Sequence, residues 1–203
     1  MEVLIMSAQK RKNTNLTTLT ECAVMLALAF ALSCAKLFEM PMGGSVTIAS
    51  MLPIMLISVK YGIKTGLATS FVYSLTQLMQ AFASANVFPY CETGTTLAVC
   101  IVFDYLVPFT VLGLSGLCHK INLTKNTELN VYLGIVGSVV LRFICHFITG
   151  VAIWGQWAPD GMGKYLYSFL YNAGFLSVDF LICIVCAVLI FRKAELKKLL
   201  NIQ

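Results

Sequence analysis

The chain has 203 residues, 59% of them apolar and only 11% charged, with a mean hydropathy of +0.85 and a formal net charge of +5. Soluble domains carry about 25% charged residues. A chain this poor in charge, broken into apolar runs of roughly 20 residues, is excluded from the soluble class and reads as an integral membrane protein.

The opening "MEVLIMSAQKRKNTN" sets a short apolar patch before a basic cluster, the reverse of the order in a secretory signal, so residues 1–15 are expected to be a cytoplasmic tail. The first span, Leu16–Phe38, carries Ala23, Ala27 and Ala31 four residues apart. Such a small-residue stripe lets another helix approach closely in lipid, either from the same bundle or from a partner protein. Val46–Tyr61 is a short second span broken by Pro53, and Ile63–Ala83 is the third. Thr95–Cys118, the fourth, holds Asp104 and Tyr105 in an apolar run. The fifth, Leu129–Trp154, carries Arg142, His146, Gly150 and Trp154 in one stripe. The sixth, Tyr165–Phe191, holds Tyr167, Asn172 and Asp179 before a basic end, residues 192–203, read as a snorkelling helix terminus. No strand signal, repeat or low-complexity tract interrupts this pattern. The expected fold is all-α: one membrane domain with a single bundle of six transmembrane helices over residues 16–191.

Orientation follows from the basic residues of the loops. Eleven (Lys10, Arg11, Lys12, Lys60, Lys64, Lys120, Lys125, Arg192, Lys193, Lys197, Lys198) fall on the side of the N-terminus, and two (Lys36, Lys164) on the other, with Arg142 completing the fourteen. Both termini are therefore expected in the cytoplasm. The net positive charge is a topology signal and implies no nucleic-acid partner. Most of the eight cysteines lie inside spans and serve as small apolar residues, and no metal site is expected.

A charge in the middle of a lipid-facing helix costs roughly 2.5–3.5 kcal/mol on insertion scales, so intramembrane ionisable groups usually mark a pathway or a site. With the fifth span ending near Trp154, a rise of about 1.5 Å per residue sets His146 about 12 Å and Arg142 about 18 Å below the outer end, and Asp104 at about 14 Å. Asn172 lies about 10 Å down, with Tyr167 above it in the first turn of its span. The shared layer pairs Arg142 with Asp104 and gathers an imidazole, an amide and aromatics below the outer surface. The bland reading takes the pair as structural, Trp154 and Tyr167 as belt anchors and Asn172 as interhelical glue. Asp179, at about 21 Å, falls outside the layer and is either a second polar contact or a proton-relay carboxylate. The outer loops "PYCETGTT" and "WGQWAPDGMGKY" are candidate lids or plain turns. No phosphate loop, HExxH or GxSxG occurs, so neither an enzyme nor a self-powered pump is indicated.

From "LTTLTECAVMLALAFALS" to the last span, and most specifically in "FDYLVPFTVLGLSGL" and "RFICHFITGVAIWGQWAPDGMGKYLYSFLYNAG", the chain resembles the thiamin-specific substrate-binding (S) component of energy-coupling factor (ECF) transporters. The resemblance implies a six-helix protein that captures thiamin from outside, without a cofactor, and docks on a transmembrane coupling protein and two cytoplasmic ATPases. It implies that Ala23, Ala27 and Ala31 form the docking stripe. It further implies a ligand set of Asp104 (usually Glu in the family), Tyr105, Arg142, His146, Trp154 for stacking, and Tyr167 and Asn172 for hydrogen bonding. The first outer loop, "AKLFEMPMGGSV", lacks the tryptophan of the family's lid, so Phe38 takes its place or the lid differs. An S component for another flat heterocyclic vitamin or a thiamin precursor stays open, as does a proton-coupled transporter using Asp179 and Asp104.

Overall fold

Leu52 to Val59 are buried on every side, although the helix that holds them is only 10 residues long. That combination shows how the bundle is organised, with a short apolar rod enclosed by longer helices. The computed structural model describes the backbone of residues 2–200 and 202 and the side chains from Asn15 onward. Lys10, Arg11 and Lys12 of the orientation count lie outside the described side chains.

Helix α1 (Glu2–Cys34) is followed by a hairpin of β1 (Lys36–Glu39) and β2 (Ser45–Thr47), then α2 (Leu52–Tyr61) and α3 (Ile63–Ser84). A long composite helix α4 (Gly94–Lys120), then α5 (Thr127–Ala152), α6 (Lys164–Phe191) and a short α7 (Ala194–Leu199) complete the chain. Among the described residues, four helices are long and apolar enough to cross a membrane: α1 from Asn15, α4, α5 and α6. Each of the six expected segments contains a helix. Of the other two, α2 is too short, and α3 is long enough but falls outside that class.

Several boundaries differ from expectation. The first span ends at Cys34 rather than Phe38, and the second begins at Leu52 rather than Val46, because residues on both sides leave the helix to pair as an antiparallel hairpin. Phe38 lies opposite Val46 and Glu39 opposite Ser45. Strands of three and four residues carry no readable alternation, which is why no strand signal was apparent. Pro41, Gly43 and Gly44 lie in the turn between the strands. Met42 takes the left-handed conformation (φ 65°, ψ 21°), a costly geometry for a side chain other than glycine, and Gly43 follows at φ 98°. The basic end also departs from a snorkelling terminus. Lys197 pairs with Glu128 at the start of α5, and Leu200 and Ile202 turn back into the core.

Close helix crossings use small residues and hydroxyls, the usual device where lipid removes the hydrophobic drive between helices. Ser58 of α2 donates to the Gly113 carbonyl and accepts from the Gly116 N–H at 3.0 Å, and Ser115 donates to the Met55 carbonyl at 2.9 Å. A Cβ on Gly134 would run into the Ser115 carbonyl oxygen, so only glycine lets α5 meet α4 there. Outward faces are apolar: Val140, Ile144 and Ile148 on α5 and Leu181, Val185 and Leu189 on α6 are exposed, as a lipid-facing surface requires. Ala23, Ala27 and Ala31 are exposed too, so the intramolecular packing of α1 runs through other residues, such as Ala29.

Candidate ligand-binding site

Beneath the hairpin, α3, α4, α5 and α6 enclose a cavity with about 920 Å³ of empty space, its open mouth included. All seven residues expected at the site line it: Asp104, Tyr105, Arg142, His146, Trp154, Tyr167 and Asn172.

Asp104 reaches the cavity through a local break in α4. Pro108 has no N–H to give the Asp104 carbonyl, and its ring crowds that carbonyl. The helix widens over Ile101–Leu106 into a π turn in which the Val107 N–H reaches the Val102 carbonyl. Such turns are frequent at functional sites. The uniform helix expected over Thr95–Cys118 is therefore corrected, and the widened turn carries Asp104 and Tyr105.

Around the Asp104 carboxylate, three side chains converge. Trp154 Nε1 donates to Oδ2 at 2.9 Å, the Thr149 hydroxyl donates to Oδ1, and His146 Nδ1 stands 3.1 Å from Oδ1. Arg142 Nε donates to His146 Nε2 at 3.3 Å. A neutral imidazole with its proton on Nδ1 satisfies both contacts, whereas a doubly protonated ring would set two donors against each other. His146 thus passes a hydrogen bond from Arg142 to Asp104 without adding charge.

The expected Asp104–Arg142 ion pair is not formed. Arg142 is enclosed against the Phe109 ring (4.3 Å to the centroid) and Met51 Sδ, and its Nη1 lies 3.9 Å from Oδ2 of Asp179. Depth along the membrane normal had matched Arg142 with Asp104, but direction around the helix decides the partner. The long arginine arm runs towards α6, and the shorter histidine one turn later takes Asp104. Asp179 is only 2% exposed, and its Oδ1 accepts from the Thr47 N–H at 3.1 Å and the Thr47 hydroxyl at 2.9 Å. It makes polar contacts that join α6 to β2 and α5.

The other expected residues divide between wall and scaffold. Asn172 Nδ2 donates to the carbonyls of Ser168 (2.9 Å) and His146 (3.1 Å), binding α5 to α6 while lining the cavity. Gly150 serves the same approach, since a Cβ there would collide with Ser168. Trp154 sits in a 3-10 turn after α5 has ended at Ala152. Tyr167 faces the hairpin, its hydroxyl 3.9 Å from Met42 Sδ.

Sequence reasoning missed the hairpin contribution. Phe38 is 61% exposed and does not line the cavity; Lys36, Glu39, Met42 and Gly43–Ser45 do. Lys36 and Glu39 pair at 2.8 Å, and Asn86 donates to Glu39 at 3.0 Å, clasping the hairpin to the α3–α4 loop. The Lys36 ammonium holds the Glu39 carboxyl below its ordinary range. Tyr171, four residues after Tyr167 on the same face, donates its hydroxyl to the Pro41 carbonyl and accepts the Gly44 N–H at 3.0 Å. That four-residue spacing was the signal that could have found it. Among the described residues, no group of His, Cys, Asp and Glu could hold a metal ion.

Residues 19–199 match the family described as thiamine transporter protein (Thia_YuaJ). The chain is 33% identical over 193 residues to thiamine transporter ThiT of Bacillus subtilis (strain 168), a match covering 90% of this chain and 94% of that protein. It is 30% identical over 80 residues to thiamine transporter ThiT of Lacticaseibacillus paracasei, covering 36% of this chain and 40% of the other. The fold is shared with the solved ThiT of Listeria monocytogenes, with a TM-score of 0.66 over 90% of this chain and 98% of that one at 22% identity.

Proposed function

The chain belongs to the thiamine transporter protein family, multi-pass proteins of bacterial membranes that are not enzymes, and from that premise we propose that it is the thiamin-binding S component of an ECF importer. The carrying observation is the charge pattern of the cavity. Arg142 is matched by Asp179 and Lys36 by Glu39, while His146 is satisfied as a neutral ring, so Asp104 is left with a carboxylate that no cation offsets. Aromatic walls (Tyr105, Phe109, Trp154, Tyr167, Tyr171, Phe175) surround it. A flat heterocycle with a fixed positive charge, as in the thiazolium of thiamin, gains from both features. A phosphate ester would want unpaired positive charge in the cavity, and both cations that line it have acidic partners, which favours the free vitamin.

In this reading six helices form the bundle, with α2 enclosed by the rest. The eleven-to-two distribution of basic residues supports cytoplasmic termini and an outward-facing hairpin. Asp104, Tyr105, Arg142, His146, Trp154, Tyr167 and Asn172 form the ligand site, with Trp154 stacking on the ligand while Asp104 steadies its indole. The exposed stripe of Ala23, Ala27 and Ala31 is the docking face for a transmembrane coupling protein driven by two cytoplasmic ATPases. A proton-coupled mechanism through Asp179 is disfavoured, because that carboxylate is occupied by Arg142 and Thr47.

The test is a titration of the purified chain in detergent, following tryptophan fluorescence. Its two tryptophans are separable: Trp154 lines the cavity, whereas Trp157 is 42% exposed and does not. Saturable quenching by thiamin that survives Trp157→Phe and disappears in Trp154→Phe supports the reading. A response to riboflavin, or to a thiamin precursor in preference to thiamin, would reassign the ligand. Silence to all would leave Asp104 and His146 as structural groups.

A further inference from the structure

Asp179 lies outside the cavity lining, behind Arg142. It is nonetheless among the most deeply buried ionisable groups, and it spends both carboxylate oxygens on specific partners. The polar row runs Thr47, Asp179, Arg142, His146, Asp104, Trp154, each in contact with the next. In that row one guanidinium stands between two carboxylates. Whichever acid holds Arg142 leaves the other with an uncompensated charge. Two donors from Thr47 fix Asp179 in position, and the Thr47 hydroxyl is itself tied to Ser50 Oγ at 2.8 Å.

We propose that Asp179 is a positioning residue for ligand charge selection: it holds Arg142 away from Asp104, so that Asp104 keeps its negative charge for a cationic ligand. The inference rests on the thiamin-binding reading and names a determinant of it that never touches the ligand. Without the Asp179 charge, Arg142 has one remaining carboxylate within its row, Asp104. It would then compete with the cation for the same group. The cost falls on the charge of the ligand and not on its shape, which separates this role from a merely structural one.

The experiment compares two probes on the purified full chain: thiamin, and its uncharged analogue with a thiophene ring in place of the thiazolium. In Asp179→Asn the amide oxygen still accepts from Thr47, but the charge is gone. Thiamin affinity is expected to fall about 10- to 100-fold, the scale of one charge–charge contact in a partly wet site, while that of the analogue changes less than about threefold. Adding Arg142→Gln to Asp179→Asn removes the freed cation; it also alters the cavity wall and so weakens both probes, but the ratio of thiamin to analogue affinity should rise above that of Asp179→Asn. Equal losses for both probes, or no recovery in the double variant, would overturn the assignment. If Asp179→Asn alone does not fold, Thr47→Val decides, since it keeps both charges and removes only the hydroxyl that fixes Asp179: a loss confined to thiamin supports the proposal, and equal losses for both probes, or none, overturn it. Unaltered protein that binds neither probe would instead count against the thiamin reading itself.

Discussion

Replacing Asp104 with asparagine keeps the shape of the side chain and removes the one carboxylate in the cavity without an opposing cation. Unit charges 4–5 Å apart interact by roughly 3–4 kcal/mol at an effective dielectric of about 20. The Asp104 side chain is 11% exposed and the cavity mouth is open, so part of this is screened. A loss of about 2–3 kcal/mol, some 30- to 150-fold in Kd for thiamin, is the expected result. The empty protein should also suffer. Trp154, Thr149 and His146 all donate to this carboxylate, and an amide offers a single acceptor oxygen. Turning the imidazole to its other tautomer would only move the conflict to Arg142 Nε. At least one buried donor goes unpaired, at about 1–3 kcal/mol, so the melting temperature should drop as well. Isothermal titration calorimetry on detergent-purified protein measures the first effect and a thermal melt the second. Asp104→Glu, which retains the charge, should bind more tightly than Asp104→Asn. A folded Asp104→Asn protein with a Kd for thiamin within threefold of the original would refute the electrostatic account.

Ala27→Leu enlarges the exposed stripe of α1 without touching the cavity; thiamin binding by the isolated chain should be unchanged, while ATP-driven uptake in proteoliposomes with an ECF module should fall at least tenfold. Gly134→Ala drives a methyl group into the Ser115 carbonyl oxygen, a backbone atom that cannot rotate away, and should destabilise the protein by about 1–3 kcal/mol in thermal melts. Glu39 clasps the hairpin through Lys36 and Asn86, and its carboxyl titrates below the ordinary 4.5 because of the Lys36 contact. A lowered folded-state value means the clasp contributes at neutral pH and is lost as pH falls through that value. Stopped-flow dissociation of thiamin should therefore quicken as pH drops below about 4.5, and Glu39→Gln should flatten that part of the profile.

Sequence alone determined the solvent this protein folds in, roughly where its helices run and the layer in which its polar residues meet. Those properties are one-dimensional: apolar run length sets the spans, and a fixed rise per residue sets depth. Depth was enough to gather Asp104, His146, Trp154 and Asn172 at one cavity. Three matters waited for the tertiary structure. The hairpin was illegible because strands this short have no period, and pairing Lys36–Glu39 with Ser45–Thr47 depends on how α1 and α2 are held by the bundle. The π turn that carries Asp104 follows from Pro108, yet the residue that reaches the cavity depends on which face of α4 meets α5. The partner of Arg142 was decided by rotation about the helix axis, a coordinate that spacing along the chain leaves open. Asp179 looked too deep for the site, and Thr47 lay on what looked like a helix. Packing α6 against β2 and α5 brought both behind Arg142, which left Asp104 to His146, Thr149 and Trp154.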